Sequence, residues 1–230
     1  MRFPSPLVRG RLIRRYKRFF ADVLLDDGRE VVAHCPNPGA MLGMNMPGAV
    51  CWLSHDPNPK RKLAFTWELV EADGGLVVVN TMLPNRLVEE ALAAGAIPEL
   101  ADHVSRRREV AYGVGSRVDF LLEGAGIPAW VEVKGVTLRR APGLAEWPDC
   151  ISARGARHMA ELGEVARLGG RGVVLFVVQR GDCERFAVAQ DLDPAFAAAL
   201  DQVRQRGVEV LAYGCEVTTD EVAIRRAIPI

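Results

Sequence analysis

Two carboxylates and a lysine in the middle of the chain have the types and spacing of a metal-dependent hydrolytic site. Asp119 interrupts an otherwise apolar run over residues 118–122, and Glu132 and Lys134 alternate with valines in a second run. Side chains two apart in a strand point to one face, so Glu132 and Lys134 share a face. If the two runs form a hairpin, Asp119 reaches that face from the neighbouring strand.

Such a group is typical of a magnesium-dependent phosphodiesterase. Mg²⁺, or Mn²⁺ in its place, is held by one or two carboxylates together with phosphate and water. The ion activates a bound water and holds the attacking and leaving oxygens, and a lysine stabilises the developing charge. The alternative is an exposed cross-strand ion pair of about 0–1 kcal/mol. Acids inside apolar strands, with Gly135 directly after the lysine, favour the site.

The elements before these strands predict a small barrel. We expect strands over residues 19–25, 29–34, 49–54, 64–71 and 76–80, separated by turns rich in Asp, Asn, Pro and Gly. About five short strands in eighty residues indicate an open Greek-key barrel. The loop of residues 35–41 is interpreted as a tight turn, although its glycine could present backbone N–H groups to a phosphate.

The pattern changes after Pro84 to that of an α/β domain with a mixed sheet. Helices are predicted over residues 85–94, 153–168 and 194–206, and strands over 109–112, 117–122, 130–134, 173–179 and 208–213. The chain is therefore expected to have two domains, residues 1–82 and residues 83–230.

Positive charge is concentrated at the start of a chain whose net charge is zero. Residues 1–20 hold seven cations and no acid, with Tyr16, Phe19 and Phe20 among them. A groove that stacks bases and follows a phosphate backbone needs this mixture, but an exposed amphipathic strand has it too. The candidate nucleic-acid contacts are Arg11, Arg14, Arg15, Lys17 and Arg18.

A second group of cations lies on the predicted helix over residues 153–168. Arg154 and His158 are four residues apart and share a face, with Arg157 beside them. They could hold a scissile phosphate, or Arg157 could pair with Glu161 on the helix surface, and the sequence favours neither. Asp149 either caps this helix or lies near the metal, and capping is the simpler interpretation.

Several protein classes are excluded or disfavoured. Five cysteines without a C-x-x-C pair argue against a disulfide framework or a zinc site. No apolar run approaches the roughly 20 residues of a membrane span, and no signal-peptide pattern is present, so a cytoplasmic protein is expected. The absence of P-loop and Rossmann glycine patterns disfavours a small-molecule phosphohydrolase.

Taken together, the motifs resemble the sugar fermentation stimulation protein family over nearly the whole chain. They are Ser-Arg-x-Asp-Phe at residues 116–120, Val-Glu-Val-Lys-Gly-Val-Thr-Leu at 131–138, Trp-Pro-Asp at 147–149, Arg-Gly-Ala-Arg-His at 154–158, Cys-Pro-Asn at 35–37 and Asn-Arg-Leu at 85–87. The resemblance implies an N-terminal OB-like barrel and a C-terminal domain similar to PD-(D/E)xK nucleases. It also implies DNA binding without strong sequence preference and a regulatory role in sugar (maltose) metabolism.

The resemblance also implies residue roles. Asp119 matches the metal-binding acid, Glu132 and Lys134 match the E-x-K pair, and Glu90, or less favourably Glu89, matches the helical acid. Asp119 and Glu132 would then be the metal ligands. One departure from the nuclease signature is that Asp119 follows valine and not proline.

Two functions remain open. One is a magnesium-dependent nuclease, and the other is a DNA-binding regulator that keeps the fold without catalysis. Clustered carboxylates repel one another unless a metal or lysine compensates, so the retained acids and lysine favour the nuclease. Many nucleases of this kind are dimers, which makes a homodimer a further expectation.

Overall fold

The basic N-terminal stretch is the first strand of a barrel. The computed structural model describes residues 1–113 and 115–230. In β1 (Val8–Tyr16), Gly10 and Leu12 are buried while Arg11 is exposed between them. An amphipathic strand was the alternative interpretation of this run, but the predicted barrel strands began only at residue 19, because the run of arginines masks the period-two pattern of the few buried positions. The charged run is thus an amphipathic strand with its cations outward.

Five strands close the barrel and a sixth extends it. Beyond β1 these are β2 (Phe20–Leu25), β3 (Glu30–His34), β4 (Val50–His55), β5 (Phe65–Ala72) and β6 (Gly75–Val78). The sheet order is β3-β2-β1-β4-β5-β6, and a short parallel pairing of β3 with β5 closes it. Trp67 is fully buried in the barrel core. The predicted OB-like barrel is confirmed, although the last predicted strand is the extension β6.

The second domain is built on a six-stranded mixed sheet in the order β15-β14-β12-β9-β8-β7. Its elements in chain order are α1 (Leu83–Ala93), β7 (His103–Tyr112), β8 (Ser116–Gly124), β9 (Ala129–Val136), β10 (Leu138–Ala141), β11 (Gly143–Trp147), α2 (Ala153–Arg167), β12 (Arg171–Val178), β13 (Cys183–Val188), α3 (Pro194–Arg204), β14 (Glu209–Val217) and β15 (Val222–Ala227). Strand β12 runs parallel to both β9 and β14. The predicted mixed-sheet domain is confirmed.

Both faces of the sheet are covered, which explains the continuous apolar run of β12. Val173 and Leu175 face the side of α1, whereas Val174 and Phe176 face the side of α2 and α3. Such a strand cannot alternate apolar and polar residues, because neither face meets water. This central strand holds β9, which carries Glu132 and Lys134, in a fixed position between layers.

Sequence reasoning missed the smaller elements. Strands β10, β11 and β13 form a separate three-stranded sheet, and β15 pairs with β14 at the edge of the main sheet. Strand β7 begins six residues before its predicted start, at His103. These strands are short or carry many exposed polar residues, so they have no strong period-two pattern.

The predicted domain boundary lies between β6 and α1, but the first residues of the chain pack on the second domain. Val222 N donates to Met1 O at 2.9 Å, and Phe3 N donates to Asp220 O at 3.0 Å. The chain thus starts beside β15 and enters the barrel only at β1. No helix in the described ranges is long and apolar enough to cross a membrane. All five cysteines are free.

A buried arginine ties the two domains together. The Arg180 guanidinium is 2% exposed and donates to Asp182 at 2.6 and 2.8 Å, to Thr137 O at 2.9 Å and to Asp73 of the barrel at 2.9 Å. Burial alone would raise the pKa of Asp182, but the guanidinium holds that pKa below its usual range.

We expect Arg180→Met to destabilise the protein by about 3 kcal/mol, because it removes the buried guanidinium from two acids and a carbonyl and leaves the acids only the longer contacts to Arg139, at 3.3 and 3.5 Å. The variant loses the stabilisation that the folded protein gains from ionised Asp182, whose pKa is lowered by folding. The difference between parent and variant should therefore be full above about pH 4 and should shrink as the pH falls below it. Urea unfolding at several pH values measures it. The exposed Arg167→Met is the control, and an equal loss in both variants would contradict the assignment.

Candidate active site

The β8–β9 hairpin brings the sequence-predicted acids together. The backbone ladder pairs Phe120 with Val131, and beyond this pair the strands separate. The next free N–H, that of Val133, donates to Asp119 Oδ2 at 2.7 Å. The convergence expected from period two and a hairpin is therefore present, with Asp119 occupying the gap that the separating strands leave.

Asp119 is a partly buried carboxylate with few compensating contacts. Its Oδ1 accepts a 2.7 Å hydrogen bond from Asn85 Nδ2 at the start of α1. Burial and the neighbouring charge of Glu132 raise the pKa of Asp119, and the bonds from Val133 N and Asn85 only partly offset them. A cation placed here would stabilise the ionised carboxylate.

Only one of the two carboxylate oxygens of Glu132 has hydrogen-bond partners among the described residues. Its side chain is 4% exposed, and Oε1 accepts hydrogen bonds from Lys134 Nζ at 2.7 Å and from His158 Nδ1. Burial alone would raise the pKa of Glu132, but the His158 bond and the Lys134 charge lower it. Oε2 is buried and has no hydrogen-bond partner among the described residues. An ionised oxygen without a partner is costly to bury unless a ligand engages it.

His158 positions Glu132 and does not face a substrate. Arg154 Nε donates to His158 Nε2 at 3.3 Å, so Nε2 is the acceptor and the ring hydrogen lies on Nδ1, towards Glu132. The ring is only 2% exposed. Of the predicted phosphate-binding group on α2, Arg154 borders the cleft beside the acids. Arg157 is exposed, and Glu161 Oε2 is buried without a partner among the described residues, so it does not pair with Arg157.

The two candidate helical acids lie on different sides of α1. Glu90, the favoured residue, is apart from the cluster: its carboxylate lies 2.6 Å from the Met1 ammonium. Glu89 lies one helical turn after Asn85. Its carboxylate accepts a 2.9 Å hydrogen bond from the guanidinium of Arg108, and Arg108 lines the cleft. The acid on the side of Asp119 is therefore Glu89, because the helix face is set by Asn85 and not by motif spacing.

The acids lie in an open cleft of about 370 Å³ with cations on its rim. Arg108 on β7 and Arg154 on α2 are the basic lining residues besides Lys134. Sequence reasoning did not assign Arg108. The signal was present in the run of three arginines at residues 106–108, at the end of which the backbone of Glu109 has a positive φ of 52°. This edge strand turns a cation towards the acids.

The donors of this cleft fit a divalent cation held by few protein ligands. In the described ranges no three His, Cys, Asp or Glu side chains are grouped closely enough to hold a metal by themselves. Asp119 and the unpartnered Oε2 of Glu132 supply two carboxylates. Mg²⁺ commonly takes one or two carboxylates and fills its remaining positions with water and phosphate oxygens. The two-acid arrangement therefore suits Mg²⁺ or Mn²⁺ with a phosphate substrate.

Some of the N-terminal cations are braced, meaning that their side chains already bond to other groups of the barrel, and others are exposed. Arg14 pairs with Asp22 at 2.7 Å, and Arg11 donates to Gly48 O at 3.3 Å. Arg15 donates to the carbonyl oxygens of residues 37 and 39, at 2.8 and 3.1 Å, and so holds that loop. Lys17 and Arg18 are exposed at the β1–β2 turn.

The outer side of the barrel near this turn also presents stacked aromatic rings. The Tyr16 and Phe20 rings stack with centroids 5.5 Å apart, and the Arg14 guanidinium lies 5.0 Å from the Tyr16 centroid. Phe19 is exposed at the turn itself. Cations and aromatic rings thus share one surface of the barrel.

Asp149 does not cap α2, contrary to the simpler sequence interpretation. The cap is Ser152, whose hydroxyl accepts from Gly155 N at 3.0 Å. Asp149 instead accepts from Met41 N of the barrel at 3.1 Å. The sequence favoured Asp149 because aspartate is common at N-caps, but Asp149 lies three residues before the actual N-cap, Ser152.

The fold and site define a class: an OB-like barrel joined to a mixed-sheet domain that carries an aspartate and an E-x-K pair in one cleft. Residues 13–79 match the family model described as the SfsA N-terminal OB domain, and residues 82–221 match that of the sugar fermentation stimulation protein RE domain. The chain therefore belongs to the sugar fermentation stimulation protein family.

Similar proteins match this chain over nearly its full length. The chain is 55% identical to the sugar fermentation stimulation protein homolog of Caulobacter vibrioides, covering 99% of this chain and 96% of the relative. It is 54% identical to that of Rhodospirillum centenum, covering 99% and 98%. Among solved structures, that of Pyrococcus furiosus SfsA in complex with Ca²⁺ matches with a TM-score of 0.90 and 28% identity, covering 100% of this chain and 97% of the other.

Proposed function

We propose that the protein is a divalent-metal-dependent phosphodiesterase acting on DNA without strong sequence preference. The observation that carries the proposal is the unpartnered, buried Oε2 of Glu132, which lies in one cleft with Asp119 and Lys134. This arrangement leaves carboxylate capacity that a cation would use. The solved relative described as a complex with Ca²⁺ supports a cation in this family.

The residues of this chain would divide the work as follows. Asp119 and Glu132 would hold Mg²⁺ or Mn²⁺, which when bound supplies Lewis acidity and an activated water. Lys134 would stabilise charge on the attacked phosphate or orient the attacking water. His158 keeps Glu132 oriented through its Nδ1 hydrogen, and Arg154 offers a guanidinium to a phosphate at the cleft rim.

The barrel would add affinity for the substrate. Lys17, Arg18 and Phe19 are exposed beside the stacked Tyr16 and Phe20 rings. Free cations contact phosphates, and aromatic faces stack on bases of any identity, so such a surface binds without sequence preference. Braced cations such as Arg15 contribute less, because their donors already have partners.

Replacing Lys17 and Arg18 together by alanine should weaken DNA binding and reduce the slope of log K against log salt by about 1.5. The reason is that each lost phosphate contact removes about 0.7–0.9 from that slope. Fluorescence anisotropy between 50 and 300 mM salt measures it. The matched control removes two exposed cations of the second domain, Arg204 and Arg206, and should leave the slope unchanged. Equal slopes for parent and Lys17/Arg18 variant would remove this turn from the interface.

A cleavage assay tests the proposed activity directly. Labelled single- and double-stranded DNA are incubated with the protein in Mg²⁺, Mn²⁺ or chelator. Cutting that needs the metal supports the proposal. DNA binding without cutting in any metal would instead favour a non-catalytic regulator, in which the 2.7 Å Lys134–Glu132 ion pair serves to neutralise a buried acid.

Broader roles follow only from this activity. The relatives are named for stimulation of sugar fermentation, and we propose that DNA binding is the route to any control of sugar (maltose) metabolism. A cytoplasmic location and a homodimer on DNA belong to the same proposal. Size-exclusion chromatography with light scattering, with and without DNA, tests the dimer.

A further inference from the structure

A second cavity adjoins the catalytic cleft at the seam between the domains. It measures about 220 Å³, and it shares Thr81, Pro84 and Gly135 with the cleft. Loop residues 37–39 of the barrel form one wall, and Trp147 and Gln179 of the second domain form others. None of the roles proposed above uses this space. The two spaces are adjacent because the backbone passes directly from Lys134 to Gly135.

Gln179 lines this cavity and carries an unused hydrogen-bond donor. The residue is 2% exposed, and its side-chain Nε2 has no partner among the described residues. Its backbone is fixed on both sides, since its N donates to Val136 O at 2.8 Å and its O accepts from Val78 N at 3.0 Å. Burying an amide donor without a partner is costly, so its presence here indicates a ligand or water that accepts from it.

Gly135 makes room for that amide at the neck between cavity and cleft. A Cβ added at this position would lie 2.6 Å from Gln179 Oε1 and 2.8 Å from Pro84 Cγ. Oε1 therefore lies over Gly135, and Nε2 is the amide atom without a partner among the described residues. The glycine after the catalytic lysine is thus required sterically as well as ending the E-x-K segment.

The size and lining of the cavity suit one flat heterocycle. A volume of about 220 Å³ is smaller than the roughly 300–1,000 Å³ of ordinary small-molecule pockets. Proline, leucine and tryptophan side chains supply apolar walls. Trp147 is partly exposed, and the Lys134 ammonium lies 5.8 Å from the centroid of its ring. A ring stacked on Trp147 would therefore have its attached phosphate close to Lys134.

We propose that this cavity receives one nucleobase of the DNA substrate, turned out of its stack beside the phosphodiester in the cleft. The inference rests on the proposed function and adds a substrate-positioning site to it. Gln179 Nε2 donates to an acceptor on the edge of the base, and Trp147 covers its face. Every base has at least one carbonyl or ring-nitrogen acceptor, so a single donor holds all four without strong sequence preference.

Nitrogen-15 NMR of the full chain tests the cavity independently of cleavage. The Gln179 side-chain NH₂ signals are assigned by their loss in Gln179→Leu. Thymidine and deoxyadenosine 5′-monophosphates should shift these signals, while deoxyribose 5-phosphate, which lacks the base, should not. Equal shifts with all three ligands, or no shift with any, would overturn a base-binding cavity.

Oligonucleotide binding, measured by anisotropy with Ca²⁺ as the added cation, separates this inference from the proposed function. Gln179→Leu should weaken binding of an ordinary single-stranded oligonucleotide about 3- to 10-fold, the loss expected for one hydrogen bond. It should not change binding of an oligonucleotide of abasic units, and the exposed control Gln202→Leu should change neither. Equal weakening of both oligonucleotides by Gln179→Leu would overturn the inference while DNA binding stands. If the parent binds no oligonucleotide but the monophosphates shift Gln179, the nuclease proposal fails and the cavity remains a nucleotide site.

Discussion

Replacing Lys134 by alanine is expected to reduce metal-dependent DNA cleavage by about 10²–10³-fold. A positioned cation that stabilises charge developing in the transition state has an effect of this size. The Lys134 side chain is 12% exposed, and among the described residues its hydrogen bond is to Glu132 at 2.7 Å, so its loss leaves the barrel surface in place. Single-turnover cleavage in Mg²⁺ measures the effect, and DNA affinity should stay within twofold of the parent.

The control for this prediction is Lys60→Ala, which removes an exposed lysine of the barrel domain. That variant should cut at the parental rate. A second comparison is Lys134→Arg, which keeps the charge but not the compact ammonium, and it should recover only part of the activity. If Lys134→Ala cuts as fast as the parent, the cleft described here is not where the chemistry occurs.

Asp119→Asn should lower the affinity for Mg²⁺ or Ca²⁺ at least 100-fold while leaving DNA binding intact or stronger. Replacing even an outer-shell partner of a metal typically costs 10–100-fold in affinity, and Asp119 is assigned as a ligand. The amide removes the charge that a cation needs. Isothermal calorimetry on the apoprotein measures the change, and equal affinities in variant and parent would contradict the assignment.

The placement of the helical acids supplies a matched control for this experiment. Glu90→Gln removes an acid that motif spacing favours but that pairs with the Met1 ammonium away from the cleft, so cation affinity should not change. A large loss with Glu90→Gln would mean that the cluster is assembled differently when a cation is bound.

The pH dependence of cation binding has a definite sign. Burial and the charge of Glu132 raise the pKa of Asp119, so without a cation this group protonates at a higher pH than an exposed aspartate. Cation affinity should therefore fall as the pH decreases through that raised pKa, and binding near it should release a proton. Calorimetry in two buffers of different ionisation enthalpy measures the released proton.

Sequence patterns predicted the site better than its surroundings. Asp119, Glu132 and Lys134 could be placed on one face because strand period and a hairpin are local properties. The Asp119–Asn85 contact and the choice of Glu89 over Glu90 depend on how α1 packs across the sheet, which no local pattern encodes. The helical spacing of His158 from Arg154 left a phosphate contact and a helix-surface position equally open, whereas its burial and its hydrogen bond to Glu132 show that it orients that carboxylate.

In the fold, too, local patterns were predicted well and features that depend on tertiary contacts were not. Strand β12 and helices α2 and α3 were predicted closely because long periodic or continuous apolar runs have few alternatives. Strand β1 was predicted only as the alternative interpretation of the charged run, because arginines occupy its outward positions and little apolar pattern remains. Arg15 was read as a contact to nucleic acid, yet its donors hold the loop at residues 37 and 39. A cation's partners are set by tertiary structure, so charge alone could not distinguish a bracing role.

The Arg180 contacts limit how the two domains can be exchanged between relatives. A chimera that joins the barrel of one homologue to the second domain of another keeps its seam only if an acid equivalent to Asp73 meets an arginine equivalent to Arg180. It must also keep the barrel loop whose Met41 N meets Asp149. The cleft and the adjoining cavity lie along this seam. In a chimera without these contacts, we therefore expect each domain to fold but the cavity between them to be misaligned with the cleft. Domain shuffling in this family should therefore succeed only as an exchange of matched seam residues.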